Sequence, residues 1–259
     1  MKVTVLGCGS SFGMPGVNYG WGSCDPKNPK NRRTRPSILV EDGETRILID
    51  TSPDLRQQLL SNDIRTLTAL FYTHYHADHL HGIDDLRAIN QNMNADLPVY
   101  CDKDTLKVIE KRFGYVLEPI AEGANFYYKP TLDPQIVENK KSFRVDNLTV
   151  FPYFQDHGYC DTVGFKFDNR FAYSTDVVAL TDQDLEALKG VGVWIIGVLT
   201  DQPHETHADV EKALTWIEAV KPGRAYLTHL GPALDYDKLN ARLPTNVEPA
   251  YDNLVIHVS

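Results

Sequence analysis

The chain has 259 residues, 42 % hydrophobic and 24 % charged, with a formal net charge of −9. This is globular composition, long enough for a sizeable core, and it excludes collagen, coiled-coil and disordered classes. The acidic balance argues against a partner gripped through many phosphates, such as duplex DNA, but leaves a small anionic substrate open.

No repeat or low-complexity linker breaks the sequence, so a single domain over 1–259 is expected. MKVTVLGCGS has one lysine and no apolar signal region. Cys8, Cys24, Cys101 and Cys160 are scattered without a CxxC pair, which fits reduced thiols and a cytoplasmic location. The longest strongly apolar stretch, Val193 to Leu199, is far short of the ~20 residues of a membrane span, so no membrane partner is expected.

In chain order, Lys2 to Leu6 is a short strand running into a glycine-rich loop, Gly7 to Gly22. Ser37 to Val40 and Arg46 to Asp50 flank the turn Glu41-Asp42-Gly43-Glu44 and predict a hairpin. Ser52 to Asn62 predicts a helix with Pro53 near its start, Leu67 to Thr73 a buried strand, and His81 to Asn92 another helix. Gly114 to Ser142 has little period and is expected to be an insertion or a cover over the site.

Strands are expected at Leu148 to Tyr153, Thr162 to Phe167 and Arg170 to Ser174, the last two joined at Asp168-Asn169. Val193 to Leu199 predicts a fully buried strand. Ala208 to Val220 is an amphipathic helix ended by Lys221-Pro222-Gly223, and strands follow at Arg224 to Thr228 and Leu254 to Val258. Two strand-rich halves with intervening helices imply sheet on sheet with helices outside, a mixed α/β (α+β) architecture.

The chemistry concentrates in His74-Tyr75-His76-Ala77-Asp78-His79. An HxHxDH match would arise by chance about once in a thousand chains of this composition. It follows an apolar strand and precedes a helix, where a metal loop belongs. Four ligands in six residues are too many for one open catalytic ion, so two ions are the natural reading. Imidazole suits zinc, and the carboxylate tolerates a harder ion such as manganese. Further donors stand just past strands: His157, Asp176 and His229.

HxHxDH followed by a lone His, an Asp and a His resembles the metallo-β-lactamase superfamily. The resemblance implies the four-layer αββα sandwich. It also implies a ligand set in which His74, His76 and His157 hold one ion, Asp78, His79 and His229 the other, and Asp176 bridges them. Hydroxide formed from metal-bound water at neutral pH would then attack a carbonyl or phosphoryl centre. Asp78 and His207 are the residues expected to carry catalysis.

Three features favour phosphate. Gly7-Cys8-Gly9-Ser10-Ser11-Phe12-Gly13-Met14-Pro15 resembles the glycine loop of the phosphodiesterase branch, which makes Ser10 and Ser11 candidate substrate contacts. His204-Glu205-Thr206-His207 opens a helix where that branch places an extra histidine. His207 is the expected proton donor to the leaving oxygen, with His204 as a lesser substrate contact. Lys27, Lys30, Arg32, Arg33 and Arg35 form a basic run in an acidic chain, and Arg32 or Arg33 is expected to clamp a phosphate.

With Trp21-Gly22, Ile49-Asp50, Tyr173-Ser174-Thr175-Asp176 and Thr228-His229, the pattern is similar to the phosphoribosyl cyclic phosphodiesterases of phosphonate breakdown. It departs from them at Ser23-Cys24-Asp25-Pro26, which keeps a single cysteine, and at Pro232, where their structural zinc would have a histidine. No structural zinc is expected.

The expected activity is therefore a binuclear, metal-dependent phosphodiesterase acting on a small cyclic or nucleotide-like phosphodiester. Family members often pair, which leaves a homodimer open. Alternatives are a thioester or lactone hydrolase, a tRNA 3′-processing nuclease, and a non-catalytic nucleotide-binding protein. The acidic charge and the lack of a basic RNA-gripping arm disfavour the nuclease.

Overall fold

The computed structural model describes residues 1–259 and contains two seven-stranded sheets. In the first sheet β1 (Lys2–Gly7) pairs with β2 (Ser37–Asp42), and β2 with β3 (Thr45–Ile49), all antiparallel. From β3 the sheet continues in parallel through β4 (Ala69–Phe71), β5 (Leu97–Cys101) and β6 (Leu132–Ile136). The last strand, β14 (Leu254–His257), returns to the free side of β1.

The second sheet begins with antiparallel β7 (Phe143–Val145), β8 (Leu148–Asp156), β9 (Asp161–Phe167) and β10 (Phe171–Ser174). It then runs in parallel through β11 (Val193–Gly197), β12 (Arg224–Thr228) and β13 (Val247–Pro249).

Alternation of side chains sorts these residues into three apolar layers. Between the sheets, Val3, Val5, Ile38, Ile47 and Phe71 meet Val150, Phe165, Phe171, Tyr173 and Ile195. The rings of Phe71 and Phe165 lie 4.9 Å apart, and each such fully buried side chain is worth about 1.5–3 kcal/mol.

Outside the first sheet, α1 (Leu55–Ser61), α3 (Leu86–Met93) and α4 (Lys103–Phe113) bury Leu55, Leu59, Leu86, Ile89 and Ile109 against Leu39, Leu48 and Leu70. Outside the second, α5 (Asp182–Leu188), α6 (Val210–Val220) and α7 (Tyr236–Asn240) cover Trp194, Ile196 and Leu227. The result is the expected αββα sandwich. β11 is buried on both faces, with Val193 and Ile195 facing the other sheet and Trp194 and Ile196 facing helices, which is why its sequence is continuously apolar. No helix is long and apolar enough to cross a membrane.

Two expectations change. The helix expected from His81 to Asn92 forms only from Leu86, as α3, and a separate short α2 (Ala77–Leu80) precedes it with a 3-10 turn at Ile83–Asp85 between them. Gly82 stands at the break, where its N–H donates to the Thr51 carbonyl at 2.9 Å and a Cβ would fall 2.0 Å from the Ser52 carbonyl oxygen. The backbone must pass that close to keep α2 tied to the end of β3.

The stretch 114–142, expected to be an insertion or a cover, is partly regular and built into the fold. It supplies β6 and β6 completes the first sheet, while the loop before it is fastened to α3. There Asn90 Nδ2 donates to the Thr131 carbonyl, and Gln91 Nε2 to that of Tyr127.

Strand direction positions the chemistry. Because β3 and β4 are parallel, Asp50 and His74 emerge at one edge of their sheet. β8 and β10 are both antiparallel to β9 and so run together, with β11 and β12 parallel to β10. His157, Asp176 and His229 therefore follow strand ends on one edge of the second sheet. Ligand sites in α/β sheets form outside such carboxyl ends.

Candidate metal centre

At that shared edge four overlapping trios of ligand atoms gather, each trio within 4.8 Å. They are His74/His76/His157, His74/His79/Asp176, Asp78/His79/His229 and His157/Asp176/His207. All seven ligands expected from the sequence are thus brought together, with His207 among them.

The local backbone explains the placement. His76 is the extended residue ahead of α2, so it points away from the helix while Asp78 and His79 project from its first turn. Asp50, Asp176 and His229 each adopt left-handed backbone, with φ of 65°, 50° and 59°. Such conformations cost about 1–3 kcal/mol each in a residue with a side chain, and they persist where surrounding contacts over-determine them.

The imidazoles are oriented from behind. His79 Nδ1 donates to Asp50 Oδ2 at 2.7 Å, which leaves Nε2 as the free lone pair. Asp50 in turn accepts from the Thr73 amide and hydroxyl, both at 2.8 Å. His157 Nδ1 donates to the Thr206 carbonyl at 2.6 Å, so its Nε2 also faces the cluster. Thr175 Oγ1 donates to Asp176 Oδ2 at 2.7 Å.

The sequence motif Ile49-Asp50 does not by itself announce this role for Asp50. Its position at the end of β3, beside the strand that precedes HxHxDH, was the signal available.

Burial of charge shows what the cluster needs. Burial, reinforced by neighbouring imidazoles, pushes His74 well below the usual histidine range and lowers His76. Burial also opposes ionisation of Asp78 and Asp176, but the imidazoles around them outweigh it and hold both well below the usual carboxylate range. On His79 burial is overcome by Asp176, Asp78 and Asp50, which hold the ring well above its ordinary value. The cluster thus combines imidazoles pushed toward the neutral form at His74 and His76, a His79 ring drawn toward its charged form, and ionised carboxylates, a demand for positive charge at its centre.

The buried Nε2 atoms of His74 and His79 have no hydrogen-bond partner. His79 Nε2 lies 3.0 Å from Asp176 Oδ2 and 3.3 Å from Asp78 Oδ2 without aligning to either. Unspent donors converging on one volume are what divalent ions require, so the residues fit a metal.

His207 sits against the cluster. Its ring is 4.8 Å from that of His157 and stacked 5.0 Å from that of His229, and Nδ1 is 3.6 Å from Asp176 Oδ1. Burial, only partly offset by Asp176, pushes it down to about 3, so its imidazole is neutral at pH 7. His204 is exposed, 5.3 Å from His207 between ring centres, and its Nδ1 accepts from the Thr206 amide.

The glycine loop reaches the site through its backbone, with Gly9 bridged to Leu230 and the Ser10 amide donating to the Leu230 carbonyl beside His229. Ser10 is buried with its hydroxyl 3.4 Å from Tyr19 Oη, whereas Ser11 is exposed.

The basic run is mostly spent on structure, which corrects the clamp expected of Arg33. Arg33 is 1 % exposed, and its Nη2 donates to Asn31 Oδ1 and to the Leu234 carbonyl, at 3.1 and 2.8 Å. A guanidinium enclosed beneath the loop cannot grip a substrate. Arg35 forms a two-pronged pair with Asp54, and Lys30 lies over the rings of Tyr236 and Tyr251. Arg32 remains exposed, with its guanidinium 5.1 Å over the Trp21 ring. Where a zinc-binding loop would need more thiols, Cys24 Sγ approaches the Pro232 carbonyl at 3.8 Å.

Residues 45–230 match the family model described as beta-lactamase superfamily domain. An octanoyltransferase of Porphyromonas gingivalis is 33 % identical over 98 % of this chain and 51 % of its own length. Ribonuclease Z of Methanococcus maripaludis is 26 % identical over 75 % of this chain and 55 % of its own. The chain spans about half the length of these curated relatives.

Among solved structures, a diphosphatase from the PhnP family superposes with a TM-score of 0.89 at 29 % identity, over 99 % of this chain and 97 % of that one. The short form of human tRNase Z shares the fold, with a TM-score of 0.73 at 15 % identity over the whole of both chains. The chain belongs to the β-lactamase superfamily and has the metallo-β-lactamase fold.

Proposed function

We propose that residues 1–259 form one hydrolase unit that cleaves a small cyclic or nucleotide-like phosphodiester with two divalent ions, zinc or manganese. The observation that carries this reading is the pair of separate trios, His74/His76/His157 and Asp78/His79/His229, with Asp176 in reach of both. Two bound ions would supply hydroxide at neutral pH and polarise the phosphoryl oxygens.

The chain's own residues do the rest. Asp50 and the Thr206 carbonyl fix the tautomers of His79 and His157. His207, outside both trios, offers an N–H to the leaving oxygen. Ser11 and Arg32, exposed on adjoining loops, receive the anionic substrate, while Ser10 braces the glycine loop. The PhnP-family diphosphatase, whose name denotes phosphate chemistry, supports this choice.

A second reading has one observation in its favour. The relative named octanoyltransferase handles an acyl group, and the same two ions would serve thioester hydrolysis.

The test is to offer metal-loaded protein a chromogenic aryl phosphodiester and an octanoyl thioester side by side, with His207→Ala as control. The account expects turnover of the phosphodiester. It expects the variant to lose about 10²–10⁴ in turnover while keeping its metal. Turnover of the thioester alone would transfer the assignment to acyl hydrolysis, and an unimpaired variant would remove His207 from the mechanism.

A further inference from the structure

The Asp176 carboxylate faces both ligand trios from a left-handed turn of its backbone, φ 50°, a conformation uncommon for any residue with a side chain. Two buried side chains from the neighbouring strands hold that turn. Thr162 Oγ1, at the start of β9, lies 3.1 Å from the Asp176 carbonyl oxygen and 3.3 Å from that of Thr175. Gln155 Nε2, opposite it on β8, donates to Thr162 Oγ1 at 2.9 Å and to the Thr175 carbonyl at 3.0 Å.

The order of donors is determined. Gln155 can only donate through Nε2, so the Thr162 hydroxyl accepts from it and must spend its single hydrogen on the turn. Thr162 is fully buried and Gln155 is 1 % exposed, so water cannot replace either bond. On the other side the turn rests on β11, where a Cβ at Gly197 would stand 3.0 Å from the Asp176 amide nitrogen and 3.2 Å from Thr175 Cα. The next residue of β9, Val163, donates its amide to the Thr73 carbonyl at 2.8 Å, so the strand that fixes Asp176 also abuts the start of HxHxDH.

We propose that Thr162, set by Gln155, is a positioning residue that aims the Asp176 carboxylate between the two ion positions, so that occupancy of the second ion depends on its hydroxyl. This rests on the two-ion reading above. Removing the hydroxyl leaves the Asp176 carbonyl without its side-chain donor and the Thr175 carbonyl with Gln155 alone, and the turn is then free to relax toward a right-handed conformation. Asp176 would move away from one ion.

The test counts metal rather than turnover. The full chain, stripped and then dialysed against zinc, is compared as wild type, Thr162→Val, Thr162→Ser and Asp176→Ala. Bound metal is measured by plasma mass spectrometry and affinity by competition with a chelating dye. Thr162→Val is expected to hold its second ion about 10–100-fold more weakly, while Thr162→Ser behaves as wild type.

If Thr162→Val keeps both ions at wild-type affinity while Asp176→Ala loses one or both, the positioning role is wrong and the bridging role stands. If Asp176→Ala itself keeps two tightly held ions, the bridging role fails and the proposal with it; if the wild type binds a single ion, it is the two-ion reading that fails. Should Thr162→Val not fold, Gln155→Met carries the same comparison, since it removes the donor that sets the hydroxyl and retains the side-chain length.

Discussion

Asp50 holds three groups at once, and each bond has a different consequence. It fixes His79 by Nδ1, and it accepts from both the amide and the hydroxyl of Thr73, whose Oγ1 is also 3.0 Å from His74 Nδ1. One fully buried carboxylate therefore orients two of the clustered imidazoles. An asparagine has the same shape but one acceptor oxygen: set where Oδ2 stands it keeps His79 and the Thr73 hydroxyl, but it turns its own amide against the Thr73 N–H and weakens the brace. Asp50→Asn should fold and bind zinc about 10–100-fold more weakly, as read by competition with a chelating dye. Affinity equal to wild type would mean that His79 is held by packing alone. The HxHxDH ligands were legible because six adjacent residues carry them. Asp50 was not, because its role depends on the parallel register of β3 and β4, which no local pattern encodes.

At the scale of elements, the legible parts were those with a clear period and a closing signal. The hairpin at Gly43 and the helix ended by Lys221 formed within one to three residues of expectation. The helix begins later than expected, at Val210, because the side chain of Asp209 accepts from the Lys212 amide and caps it there. Misreadings arose where tertiary contact overrides local preference. Nothing in Gly114 to Ser142 announces β6, which exists because β5 offers it an edge. Likewise nothing in His81 to Asn92 announces a break, which exists because Gly82 must approach Ser52. The basic run looked like a substrate clamp because a sequence cannot show that Arg33 turns inward toward Asn31 and Leu234. The break at Gly82 yields a prediction. Gly82→Ala drives a methyl group into the backbone of Ser52 and should cost about 1–3 kcal/mol of stability by denaturant unfolding. Zinc affinity should fall with it, since α2 carries Asp78 and His79. A neutral substitution would show that the α2 turn can shift without disturbing the site.

For the molecule as a whole, pH acts on several carboxylates outside the site. Burial opposes ionisation of Asp54, but its two-pronged pair with Arg35 outweighs this and lowers it. Asp42 is lowered chiefly by its bond to Arg170, which ties the first sheet to the second. A carboxylate with a lowered value in the folded chain takes up its proton first in the unfolded chain. Its stabilisation is therefore complete above the ordinary carboxylate range and lost as pH falls through the folded value. Asp252 works in the opposite sense. Burial raises it to about 6, so the folded chain keeps a proton that the unfolded chain has released, and that contribution disappears as pH rises through about 6. Wild type should lose stability below about pH 4 as the paired carboxylates protonate. The stability gap between wild type and Asp54→Asn should narrow over the same range. A gap that stays constant from pH 7 to pH 3 would show that the Arg35 pair contributes nothing at the surface.

The central claim is that the gathered histidines and aspartates hold two ions and use them on phosphorus. It is tested most directly by incubating a ribose cyclic phosphate in oxygen-18 water with protein that is metal-stripped, zinc-loaded or manganese-loaded, and following the product by phosphorus NMR. The account predicts ring opening only when metal is restored, at two ions per chain, with one oxygen-18 atom on phosphorus. Protein carrying two ions that leaves the cyclic phosphate intact, or a product with the label on carbon, would contradict it.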